Sequence, residues 1–212
     1  MTNENAGGSP KETASRIAAR AIAQAAASSA RETGSSMGAK NPTPMRKSRS
    51  RRAKDPTEID WNLWHDFTQR LSLALHALDE EEFLIVSIRG TNLYVQFSEQ
   101  GLLGMRAEAT SSYYLPEHET LDDRQHAALL RLGWRAPTNL PEGIGPHETE
   151  GSPNYFVELE PPVEHDRLAV QAVATLALVF GATGPDRLEY QAFVEDGTQI
   201  LFPELGIAEA ER

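Results

Sequence analysis

The sequence predicts an α+β fold: a single domain with helices packed on one mostly antiparallel sheet, in the order α-β-β-β-α-β-α-β, behind a disordered basic tail. Three observations carry this. Apolar residues recur at three- and four-residue steps in separate stretches of the body, the spacing of helices that bury one face. Runs of strand length, bounded by Gly, Asn and Pro turns, lie between them. Charge divides the chain. Residues 1–56 hold 11 Lys+Arg against 4 acids, and residues 57–212 hold 9 Arg against 27 acids, so a +7 tail joins a −18 body behind the net charge of −11.

The body opens at Pro56-Thr57. Trp61, Leu63, Trp64, Phe67, Leu71, Leu75 and Leu78 mark a first helix with Asp60 at its N-cap, Trp61 and Trp64 being expected to pack on the sheet. Glu82–Arg89 is a continuous apolar run, as a central strand requires. After Gly90-Thr91-Asn92 the chain alternates, with Leu93, Val95 and Phe97 on one face and Tyr94 and Gln96 on the other. Beyond Glu99-Gln100-Gly101, Leu103, Met105, Ala107 and Ala109 alternate against Arg106 and Glu108, completing a three-stranded meander.

Thr120-x-x-Asp123 reads as a capping box for a short helix marked by Leu121, Ala128, Leu129 and Leu132 and ended by Gly133. Residues 136–153 are rich in Pro and Gly and read as a long loop. Residues 154–159 form a strand. Pro162 suits the first turn of a helix over 163–180, closed by Gly181 or Gly184. Leu188–Val194 alternates as a last long strand, and Asp196-Gly197 turns the chain into a short return over 198–202.

The same residues exclude several chemistries. With no cysteine there is no thiol nucleophile and no Cys-based metal site. The longest apolar run, residues 168–182, is broken by Gln171 and Thr175 and is shorter than the roughly 20 residues of a membrane span, so no transmembrane segment is expected. The six histidines form no HxxxH or HExxH pair, and no GxSxG, P-loop or GxGxxG is present. Carboxylates are too numerous to single out a catalytic pair. No enzyme, cofactor or metal is therefore expected. Aromatic placement stands out instead. Tyr113, Tyr114, Trp134, Tyr155 and Phe156 fall in loops or at element starts, where they either line a groove for a peptide or plug the end of the sheet.

The tail, residues 1–56, divides in two. Thr13 to Glu32 is Ala-rich, with Ile17, Ala18, Ala21, Ile22 and Ala25 at helical spacing beside Arg16 and Arg20. It reads as a weak helix, as a transit-type segment or as a docking helix, and not as a secretory signal. Arg46, Lys47, Arg49, Arg51, Arg52 and Lys54 form a basic run that either contacts a polyanion, whether nucleic acid or anionic membrane, or lies against the acidic body. The body itself repels phosphate.

Several stretches together resemble one family. Leu93-Tyr-Val-Gln-Phe97 followed by Leu103 and Arg106-Ala-Glu108, then Leu132-Gly-Trp134 and a Pro-rich loop, Asn154-Tyr-Phe156, Pro161-Pro162, the Ala-rich residues 168–180 and Pro185-x-x-Leu188-x-Tyr190 are similar to actinobacterial TY-Chap proteins. These are related to type III secretion chaperones and YbjN-like proteins. The likeness covers roughly residues 60–195, within a domain expected over 57–212. It implies a cytoplasmic, non-enzymatic module that captures a protein or peptide client in an apolar groove, with a homodimer as a possible assembly. By position it carries Trp134, Asn154, Tyr155 and Phe156 into the family motif.

Overall fold

In a computed structural model the described residues are 59–138 and 152–211. Helix α1 (Trp61–His76) starts at Asp60, whose side chain accepts from the Asn62 amide, and it buries Trp64, Phe67, Leu71 and Leu75 along one stripe. Strands β1 (Glu82–Ile88), β2 (Tyr94–Glu99) and β3 (Met105–Ala109) form the expected antiparallel meander. Helix α2 (Asp123–Arg131), strand β4 (Tyr155–Leu159), helix α3 (His165–Ala174) and strand β5 (Leu188–Val194) follow. A two-residue strand β6 (Ala208–Glu209) pairs parallel with β5. The sheet order is β4-β3-β2-β1-β5-β6.

Helices α1 and α3 pack together over one face of this sheet. That face supplies Leu84, Val86, Ile88, Val95, Phe97, Met105, Ala107, Tyr155, Val157, Leu188 and Tyr190 to a core shared with the helices. Phe202 and Leu205, from the chain after β5, complete it. Register places the alternate residues on the second face. Phe83 lies across from Ser98 and Phe193, Ile85 from Gln96 and Gln191, Ser98 from Arg106, and Gln96 from Glu108.

Several local expectations are corrected. Trp61 is 53% exposed, because it opens the helix at the edge of the buried stripe, which begins with Trp64 one turn further on. Leu103 is exposed in a 3-10 turn, Gly101–Leu103, and not in β3. The capping box is Asp122 with Gln125, whose backbone amides and side-chain oxygens bond reciprocally at 2.8 and 2.9 Å, and not Thr120 with Asp123. Pro162 lies before Glu164, the N-cap of α3, outside the helix. Helix α3 continues into a π turn, Thr175–Val179, and Gly181 follows at φ 77°. The return after Gly197 makes one bridge, Phe193 to Gln199, and no strand, so β6 takes that edge.

Candidate functional site

The second sheet face is the most unusual surface of the body. Arg106 and Glu108, expected to oppose the core as a polar row, are 4% and 2% exposed. An ion pair held this far from water survives only with nearly every lone pair and proton matched. Glu108 meets that condition. Its Oε1 accepts from Arg106 Nε at 2.8 Å and from the Ser152 hydroxyl at 2.9 Å. Its Oε2 accepts from Gln96 Nε2 at 2.7 Å and Asn154 Nδ2 at 3.0 Å. Arg106 also donates to Glu158 at 2.6 Å. Four donors around one carboxylate pin strands β2, β3 and β4 to the segment that enters β4.

Asn154 is the hinge of this network. Its Nδ2 donates to the Tyr94 hydroxyl as well as to Glu108, and its Oδ1 accepts from the Ser111 amide. Burial and the Glu108 charge push the Tyr94 hydroxyl far above the ordinary tyrosine range. Tyr114 is pushed up to about 12, first by burial and then by the same carboxylate. Phe156 lies on this face with the guanidinium carbons of Arg106 and Arg135 at 5.0 and 4.6 Å from its ring centroid. Arg135 is placed there by its backbone, which bridges Phe156 in both directions.

Beside the polar network lies an apolar patch. Phe83 and Phe193 stack across β1 and β5 with centroids 5.4 Å apart, and Ile85 sits next to them in the register. Gln96 joins the two halves. Its amide nitrogen serves Glu108, while its Oε1 is buried and has no partner among the described residues. The core helices α1 and α3 pack on the opposite face.

The residues singled out from the sequence divide between the two faces. Trp134 is buried on the helix side, donating from Nε1 to Thr175 Oγ1 at 2.8 Å. Tyr155 faces the same core, its hydroxyl in hydrogen-bond contact with His126 Nδ1. Burial raises its pKa. Asn154, Phe156 and Tyr114 belong to the second face or its rim. Tyr113 is half-exposed beside Tyr114, with ring centroids 4.9 Å apart. Arg46, Lys47, Arg49, Arg51, Arg52 and Lys54 lie outside the described residues, as does most of the Pro-rich loop. Phe83, Ile85, Gln96 and Phe193 were not singled out. For Phe83 and Ile85 the signal was the unbroken apolar run of β1, which puts apolar residues on both faces of the strand.

A shallow cleft between α1 and α3 gathers Ser72, His76, His165 and Asp166. Ser72 donates to Asp166 at 2.5 Å, and the His76 and His165 rings meet edge to face with centroids 5.0 Å apart. Burial, then the neighbouring His76, lower the His165 pKa. Among the described residues no three His, Asp or Glu converge as a metal site, and no helix is long and apolar enough to cross a membrane.

A sequence model of the family described as TY-Chap3, T3SS (YopN, CesT) and YbjN peptide-binding chaperone 3, matches residues 60–194. No curated protein and no solved structure matches the chain. The matched span begins at the N-cap of α1 and ends with β5, so it contains both halves of the second sheet face.

Proposed function

The chain belongs to the TY-Chap3 family of peptide-binding chaperones, and on that premise we propose that it is a non-enzymatic, cytoplasmic binding module. It captures a segment of a protein client in the apolar groove of its second sheet face. The observation that carries the reading is the Phe83, Ile85 and Phe193 patch, set beside the buried Glu108 network on the sheet face opposite α1 and α3. Apolar area at the centre supplies affinity, while buried polar atoms with fixed geometry supply orientation. Gln96 Oε1 is the acceptor that a client donor would meet. Phe156, Asn154, Tyr113 and Tyr114 form the rim, and Trp134 and Tyr155 hold β4 and α3 in place behind it. The domain is read as residues 57–212, and a homodimer remains part of the proposal.

A peptide-library selection against the full chain tests this. Selected sequences share an amphipathic or extended apolar motif, and Ile85→Ala weakens their binding while Val173→Ala, a truncation on the helix side, does not. Equal effects from both variants, or selection of no common motif, would count against the groove.

A further inference from the structure

The cleft between α1 and α3 holds a pairing that the client reading does not use. His76 closes the last turn of α1 and His165 opens α3, so the packing of the two helices brings together rings that are 89 residues apart in sequence. Their Nδ1 atoms stand 3.4 Å apart, and the ring planes are 84° apart, so the contact is not a stack. A hydrogen bond between ring nitrogens is ordinarily closer, at roughly 3 Å. Another geometry fits the separation better. With Zn–N bonds of about 2.0–2.1 Å and a tetrahedral angle, two imidazole nitrogens on one zinc ion stand about 3.3–3.4 Å apart. The right angle of a square-planar or octahedral site would bring them to about 2.8–3.0 Å.

We propose that His76 and His165 bind a zinc ion through their Nδ1 atoms, with water in the remaining two positions. Two protein ligands, and not three, make the site, which leaves it open to solvent. The cleft has room for the waters, at about 570 Å³ against roughly 30 Å³ for each water in the liquid. The surroundings favour a cation. His76 lies where the carbonyl end of α1 carries partial negative charge. The amino end of α3 has the opposite sign, but Glu164 and Asp166 stand there as carboxylates, and Arg167 turns its charge to Glu164 at 3.3 Å. Asp166 is held in the cleft by the Ser72 hydroxyl. Both imidazoles are reachable, His76 being exposed and His165 half-buried. Once loaded, the metal staples the last turn of α1 to the first turn of α3. These are the two helices that pack on the core face of the sheet, so the site acts on the stability of the fold and is independent of the client face.

Zinc chloride titrated into the full chain, in excess magnesium, tests this by calorimetry. Magnesium takes up carboxylate sites but competes poorly for imidazole, so the many acids of the body do not obscure the result. One zinc should bind per chain. His76→Gln and His165→Gln should each weaken binding roughly tenfold or more, since either leaves a single ligand. His118→Gln, which removes a ring 80% exposed in a loop, should change nothing. Zinc should also raise the melting temperature of the intact chain and not that of either variant, because the pair exists only in the folded protein. Nitrogen-15 histidine spectra should show both Nδ1 signals moving together as zinc is added. Both glutamine variants lie at the surface of the cleft, and their circular dichroism should match that of the intact chain. Zinc binding that survives in both single variants, that is weakened equally by His118→Gln, or that disappears in magnesium would overturn the proposal, as would spectra in which only one of the two rings responds.

Discussion

At the scale of single residues, Glu108 decides more than any other side chain described. It accepts four hydrogen bonds while 2% exposed, and one of its donors is a buried guanidinium. Glu108→Ala leaves those donors facing each other in a dry site. Urea unfolding should show a loss of roughly 3 kcal/mol, whereas an exposed carboxylate such as Glu204 should cost almost nothing when removed. Tyr114 responds to the same charge. Its folded pKa is raised to about 12 from the ordinary 10.0, so above pH 10 the unfolded chain releases its proton before the folded one does. Its contribution is complete below pH 10 and is lost as pH rises toward 12. Alkaline titration followed by tyrosinate absorbance should therefore show late ionisation, and Tyr114→Phe should make the fall in stability over that window shallower. Trp134 is read differently now that its place is known. It is 2% exposed and bonded to Thr175, so Trp134→Ala should cost about 3–5 kcal/mol in unfolding, and Trp134→Phe about 1 kcal/mol for the lost hydrogen bond. Its truncation is a test of the fold.

Elements were legible to the extent that their periodicity spoke. Helix α1 follows from its apolar spacing and Asp60, and β1 and β2 follow from their runs and turns, because one strong pattern runs through each. Strand β3 was legible as a strand but not in its environment. Met-Arg-Ala-Glu-Ala alternates apolar and polar residues, and alternation normally means that one face is wet. Here the polar face is buried, since Glu108 finds its partners in Gln96, Ser152 and Asn154, as many as 46 residues away in sequence. Nothing local to β3 contains that information. The start of α2 was misplaced by two residues because both Thr120 and Asp122 are good caps, and the choice fell to the one whose third residue on is Gln125. Asp122→Ala should lower stability by about 1 kcal/mol, read from the shift of the urea midpoint, and Thr120→Ala by much less.

For the whole molecule, the family match ends at residue 194, but the core does not. Phe202 and Leu205 are buried against α1 and β5, and the Phe202 amide donates to the Tyr190 hydroxyl at 3.1 Å. A chain truncated after Val194 keeps every element of the matched span and exposes that core. It should melt well below the intact protein, by about 2–4 °C for each kcal/mol lost at this chain length, or fail to fold. Retention of full thermal stability would mean that the C-terminal wrap is ornamental.

The sequence by itself determined the α+β order, the first helix and meander, the sign of charge on tail and body, and the family likeness. Each of these is written in local spacing or in composition. Only the tertiary structure decided that Trp134 and Tyr155 point to the helices while Asn154 and Phe156 point away. Neighbours in a strand face opposite sides, and which side is core depends on the register with β3. It also decided that the meander's polar row is buried and lies beside the Phe83–Phe193 stack. That juxtaposition joins residues from β1, β2, β3, β4 and β5, and pairing across a sheet is a property of the folded chain, not of any segment within it.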